Sequence, residues 1–194
     1  MQKGFTLAEL LIALAILGVI ATFTIPKVLT ANQNGQYKSI AKEAAAAVSQ
    51  ALIAYKADNA VTASTSLMDL TPYLNYVNVI TTSFEVDHKP GFGTVSCADL
   101  GCLRLHNGAV LWYDDSDGYA VFGGTNATNA MMFLVDPNGK SSVPANSPDK
   151  SVEFALYANG AITSRANFRP NTTTQAGNVG GAVPAEEPTW FNWN

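Results

Sequence analysis

The chain has 194 residues, a net charge of -4, 13% charged residues and two cysteines. That length suits one domain with a core of its own plus an extension. No Lys/Arg cluster is present that could follow a phosphate backbone, which argues against nucleic acid as a direct partner.

The N-terminus reads MQKGFTLAELLIALAILGVIATFTIP. From Leu10 to Ile25 it carries no charge. With the apolar positions back to Phe5, the run is about 21 residues, roughly 30 Å as a helix and enough to span a bilayer core. Two features depart from a plain anchor. Secretory signals place their small-residue cleavage site after the apolar run. Here Gly4 lies before it, behind the positive flank of Lys3. The second feature is Glu9, whose carboxylate inside the run costs about 2.5–3.5 kcal/mol near a helix centre and less near an end. Such a group needs a partner. Cleavage after Gly4 would create an amine on Phe5 one helical turn from Glu9, and the amine of a neighbouring copy could lie equally close.

In order, Lys3-Gly4, Phe5-Thr6-Leu7-Ala8-Glu9 and Leu10-Leu11-Ile12-Ala13-Leu14 resemble the type IV pilin and type II secretion pseudopilin family, with its basic leader ending in Gly, its Phe-Thr-Leu-x-Glu and its apolar run. The resemblance implies a prepilin peptidase that cuts between Gly4 and Phe5 and methylates the Phe5 amine. It implies that Glu9 pairs with a neighbour's N-terminus during assembly. Gly18 and Pro26 match the family pattern too. Gly costs about 1 kcal/mol relative to Ala, and Pro removes a donor and clashes one turn back, so the stretch between them is expected to bend or unwind on packing.

After Pro26, Ile40, Ala44, Val48, Ala51, Leu52 and Tyr55 recur at helical spacing, an amphipathic continuation of the helix. Asn32, Asn34 and Gly35 weaken its middle, and Asp58-Asn59 offer a stop. The small residues Ala44 to Ala47 invite close packing. Leu67 to Tyr76 read as a short helix capped by Ser66. Short strands follow: Leu103 to His106 and Val110 to Tyr113 flank Asn107-Gly108, a two-residue hairpin signal. Tyr119 to Phe122, Met131 to Val135 before Asp136-Pro137-Asn138-Gly139, and Val152 to Tyr157 before Asn159-Gly160 complete an antiparallel set. Leu105 to Leu111, Val135 to Gly139 and Asp149 to Phe154 loosely resemble a hairpin and turn found in pseudopilin-like headgroups.

The expected fold is α+β: a long N-terminal helix, partly transmembrane, whose C-terminal half packs on a small antiparallel sheet. The expected divisions are a leader at 1–4, a transmembrane and filament-core helix at 5–26, its amphipathic continuation at 27–58, a headgroup at 59–165 and an extended Asn/Thr/Gly/Pro-rich tail at 166–194. The tail carries Trp190, Phe191 and Trp193, placed to dock on the headgroup in preference to a neighbouring subunit.

Cys97 and Cys102 close a small loop before a strand, fitting a structural disulfide in an exported domain. A redox pair is disfavoured by the missing CxxC spacing. Asp114, Asp115 and Asp117 before Gly118 invite calcium, but positions one and twelve of the loop signature would be Tyr113 and Gly124, so no metal is expected. His88 and His106 lack any nucleophile-base or zinc arrangement. Asn126 and Asn171 begin glycosylation patterns. No cofactor and no catalysis are expected.

By resemblance the partners are other pilin-like subunits in a homo- or hetero-polymer, the prepilin peptidase, an inner-membrane assembly platform, and membrane lipid before assembly. The location is a bacterial inner membrane, single-pass with the headgroup outside the cytoplasm, and then an extracytoplasmic filament. Glu9 disfavours the tip subunits that lack this acid, and the chain's length favours a pilin or minor component over the leanest major pseudopilins. The competing class is a single-span anchored binding domain that never polymerises; it would retain Met1 and tolerate Glu9→Ala.

Overall fold

The computed structural model describes residues 4, 6–81, 85–86, 95–97, 102–112, 122, 130–139, 151–164 and 191. The chain divides into two compact units, 1–36 and 37–194. Helix α1, Leu7–Asp58, contributes to both.

In the first unit α1 is an apolar rod: from residue 7 to 33 every side chain is exposed except half-buried Ala21. The helix is long and apolar enough to cross a membrane. Pro26 lies inside it without ending it, although it cannot donate to the carbonyl of Thr22. Around it, the hydroxyls of Thr22, Thr24 and Thr30 donate to the carbonyls of Val19, Ile20 and Pro26 at 2.7, 2.8 and 3.0 Å. These bonds satisfy the hydroxyls inside the helix itself, an arrangement that lets threonine sit among apolar groups and that favours slight bending. The helix also runs unbroken through Asn32, Asn34 and Gly35, since none of these removes a backbone donor.

In the second unit, Ala41, Ala44, Ala45, Val48, Ala51 and Leu52 form the buried stripe of α1, with Ile40, Ala47 and Tyr55 half-buried beside it. The helix ends where expected, at Asp58. The Asn59 backbone N–H and side-chain amide both donate to the Tyr55 carbonyl, at 2.8 and 3.4 Å. Helix α2 spans only Leu67–Leu70 and passes into a 3₁₀ turn, Thr71–Tyr73. The sequence reading carried this helix to Tyr76. It stops short because Pro72 cannot donate to Met68, and the Thr71 N–H takes that carbonyl in a tighter bond.

The strands are β1 (Tyr76–Ile80), β2 (Glu85–Val86), β3 (Val95–Ser96), β4 (Cys102–Leu105), β5 (Val110–Trp112), β6 (Ala130–Asp136), β7 (Val152–Tyr157) and β8 (Ile162–Ser164). Six form an antiparallel sheet in the order β1-β4-β5-β6-β7-β8, and β2 and β3 pair separately. Leu103, Leu105, Leu111, Met131, Phe133, Val135, Phe154 and Leu156 join the α1 stripe in the main core. The opposite face is buried as well: Val110, Trp112 and Cys102 cluster with Cys97 and Ile80, and Met132 with Ala130 and Ala155. Burial on both faces is why β6 reads as the unbroken apolar run AMMFLV rather than as an alternation.

Two hairpins share one design. Leu105 pairs with Ala109 around His106-Asn107-Gly108, and Tyr157 with Ala161 around Ala158-Asn159-Gly160. In each, the glycine adopts a left-handed φ, +88° and +94°, and the asparagine Oδ1 accepts from the backbone N–H two residues on, at 3.1 and 2.9 Å. These are three-residue loops with glycine in the left-handed position, not the two-residue turn expected at Asn107-Gly108. The second loop seats on α1: the Ser49 hydroxyl donates to the Gly160 carbonyl at 2.6 Å, and Lys56 Nζ to the Ala158 carbonyl at 3.0 Å.

Candidate functional site: the N-terminal segment

Thr6 precedes the first turn of α1 and Glu9 lies in it. The Thr6 backbone N–H and hydroxyl both donate to Glu9 Oε2 at 2.8 Å, and the Glu9 N–H donates back to Thr6 Oγ1 at 3.3 Å. The Thr6 carbonyl accepts from the Leu10 N–H at 3.2 Å. This is a reciprocal capping box, which satisfies helix-end donors that no preceding turn can reach. Sequence reasoning passed over it, although Thr-x-x-Glu at the head of an apolar run is its signal. The carboxylate therefore has a local partner within its own chain. Ionised, it offers about four lone-pair sites, of which the two Thr6 donors use half.

Gly4 is exposed, and a Cβ placed on it or on Gly18 would meet nothing within 4 Å. Neither glycine is required by contacts of the described chain, and at Gly18 the residue weakens a helix that alanine would strengthen. Phe5 and the 1–3 segment lie outside the described residues, so the structure places Gly4 and Glu9 but not the aromatic between them.

The cysteine expectation is met. Cys97 and Cys102 are joined by a disulfide with Cα atoms 5.3 Å apart, and both are fully buried. The bridge ties the residue after β3 to the first residue of β4. Asp114, Asp115, Asp117, His88, Asn126 and Asn171 lie outside the described residues. His106 is exposed in the first hairpin loop. Among the described residues, no group of three or more His, Cys, Asp or Glu is placed to hold a metal.

An exposed apolar helix opened by a capped acid, joined in one chain to a disulfide-bonded α+β headgroup, fits anchoring in a membrane. Residues 1–25 match the prokaryotic N-terminal methylation motif, the signature of type IV pilins and pseudopilins. No curated protein and no solved structure matches the chain. The motif supports a pilin-type precursor and, with the apolar helix, anchoring in the membrane before assembly; the headgroup fold rests on the structure alone.

Proposed function

We propose that this chain is a non-enzymatic structural subunit that a prepilin peptidase cuts between Gly4 and Phe5 and methylates on the new amine, and that then polymerises with pilin-like subunits into an extracytoplasmic filament. The observation that carries this is Gly4-Phe5-Thr6-Leu7-Ala8-Glu9 at the opening of an exposed apolar helix that begins at Leu7. Gly4, exposed and with open space around it, suits recognition by a peptidase. Glu9 pairs with the Phe5 amine of a neighbouring copy as subunits leave the lipid, while Thr6 holds the acid until then. Gly18 and Pro26, together with the threonine hydroxyls that bond back to their own helix, let the rod bend as it packs.

The test separates charge from capping. Glu9→Gln keeps an oxygen for Thr6 to donate to and removes the charge. In cells making Glu9→Gln, we expect processed subunit in the membrane fraction and no filaments recovered by shearing. Undiminished filament yield would contradict the pairing role.

A further inference from the structure

Of the chain's four methionines, three lie among the described residues, at 68, 131 and 132, and their surroundings differ. Met131 and Met132, on β6, are 0% and 4% exposed within the headgroup clusters, whereas Met68, on α2, is 46% exposed. The residues around Met68 seat the short helix without it. Leu67 and Leu70 are buried in the main core, and the Ser66 N–H and hydroxyl both donate to Asp69 Oδ2, at 2.8 and 3.0 Å.

The sulfur has one polar neighbour. The Thr71 hydroxyl lies 3.9 Å from Met68 Sδ and 3.4 Å from the Leu67 carbonyl oxygen, placed to donate to either. It has a single proton to give, and the contact to the carbonyl is long for an O–H donor. A thioether is a weak acceptor, so this proton is lightly held. An oxygen carried on the same sulfur is a far stronger acceptor and competes for it.

We propose that Met68 is the oxidation site of the headgroup: a peroxide converts it to the sulfoxide, and the Thr71 hydroxyl turns from the Leu67 carbonyl to the new oxygen. In this step a sulfur lone pair attacks one peroxide oxygen, and the O–O bond breaks as the S–O bond forms. With hydrogen peroxide, the departing hydroxide takes the proton left on the transferred oxygen and leaves as water. Sulfur is oxidised by two electrons and the peroxide is reduced by the same two. Susceptibility follows exposure, and the sulfoxide is reversible by dedicated reductases. Met68 can therefore be oxidised and restored while Leu67 and Leu70 keep α2 in place, whereas oxygen on Met131 would bury a polar group in the core. The inference does not depend on the polymer reading, and its test needs no filament.

The full chain, solubilised in detergent, is treated with dilute hydrogen peroxide with and without urea, and the sulfoxide is located by mass spectrometry of its peptides. The folded chain is expected to oxidise at Met68 at least about tenfold faster than at Met131 or Met132, and the three to react alike in urea. Comparable rates in the folded chain would overturn the site. This map uses only the unsubstituted chain, so it decides the site even where a variant does not fold. The part played by Thr71 is read from urea unfolding of reduced and Met68-oxidised protein. Oxidation should leave the folding equilibrium of the unsubstituted chain and of Thr71→Ser nearly unchanged, and lower that of Thr71→Val roughly fivefold, the scale of one net hydrogen bond. An equal response in all three would overturn the hydroxyl's part.

Discussion

Asp136 is fully buried where β6 ends, and its Oδ1 accepts from the backbone N–H groups of Asn138 and Gly139 at 3.0 and 3.4 Å. Gly139 has a φ of +59°, and a Cβ on it would collide with the Gly108 carbonyl oxygen; a Cβ on Gly108 would meet open space. Arg104 Nη2 donates to the Gly139 carbonyl at 3.1 Å, fastening the two turns together. The two glycines therefore differ in a measurable way. Gly108→Ala should cost about 1 to 2 kcal/mol from backbone handedness alone, and Gly139→Ala distinctly more because a backbone must shift as well. Denaturant unfolding of the two variants reads the difference, and equal losses would contradict the close approach. Tyr73 offers a pH test. Burial, followed by the adjacent Asp58 carboxylate, raises its phenol above the usual range, and its hydroxyl donates to Asp58 Oδ2 at 3.2 Å. A raised folded-state value means that the stabilisation is complete below the unfolded phenol's range, near pH 10. It is lost as pH rises through the folded value. Tyr73→Phe should accordingly flatten the fall in stability above pH 10.

At the scale of elements, the periodic pattern of Ile40, Ala44, Val48, Ala51, Leu52 and Tyr55 was legible and identifies the face of α1 that packs. The turns were legible as turns, since Asn107-Gly108 and Asn159-Gly160 are in place. Their loop length was not, because it depends on which flanking residues pair, and Leu105 with Ala109 is a tertiary outcome. The shortening of the helix after Ser66 follows from Pro72 and was available in the sequence. The Thr6–Glu9 box was equally available, but the cost of a buried carboxylate directs attention to an external partner and away from a side chain three residues back. The disulfide belongs to this scale as well. Its short loop limits the loss on reduction to about 2 kcal/mol in the chain-entropy model, so Cys97→Ser with Cys102→Ser should lower headgroup stability by that amount without preventing folding. Urea unfolding with and without reductant checks it.

For the whole molecule, the sequence made two solvents evident: an apolar first segment and a polar remainder. The expected docking of the C-terminal aromatics on the headgroup is met for Phe191, which joins its core; which ring it meets was not legible, since nothing periodic surrounds that residue and its partner Phe154 comes from a central strand. Gly18 is where local cost and collective function part. Gly18→Ala should stabilise the isolated helix by about 1 kcal/mol yet reduce filament yield if bending there is needed, a combination that a purely anchoring helix would not show. The central claim is processing followed by assembly, and the mass of the N-terminal peptide from cells tests it most directly. The account predicts a peptide that begins at Phe5 and carries a methyl group on its amine. A mature protein retaining Met1-Gln2-Lys3-Gly4 would contradict it.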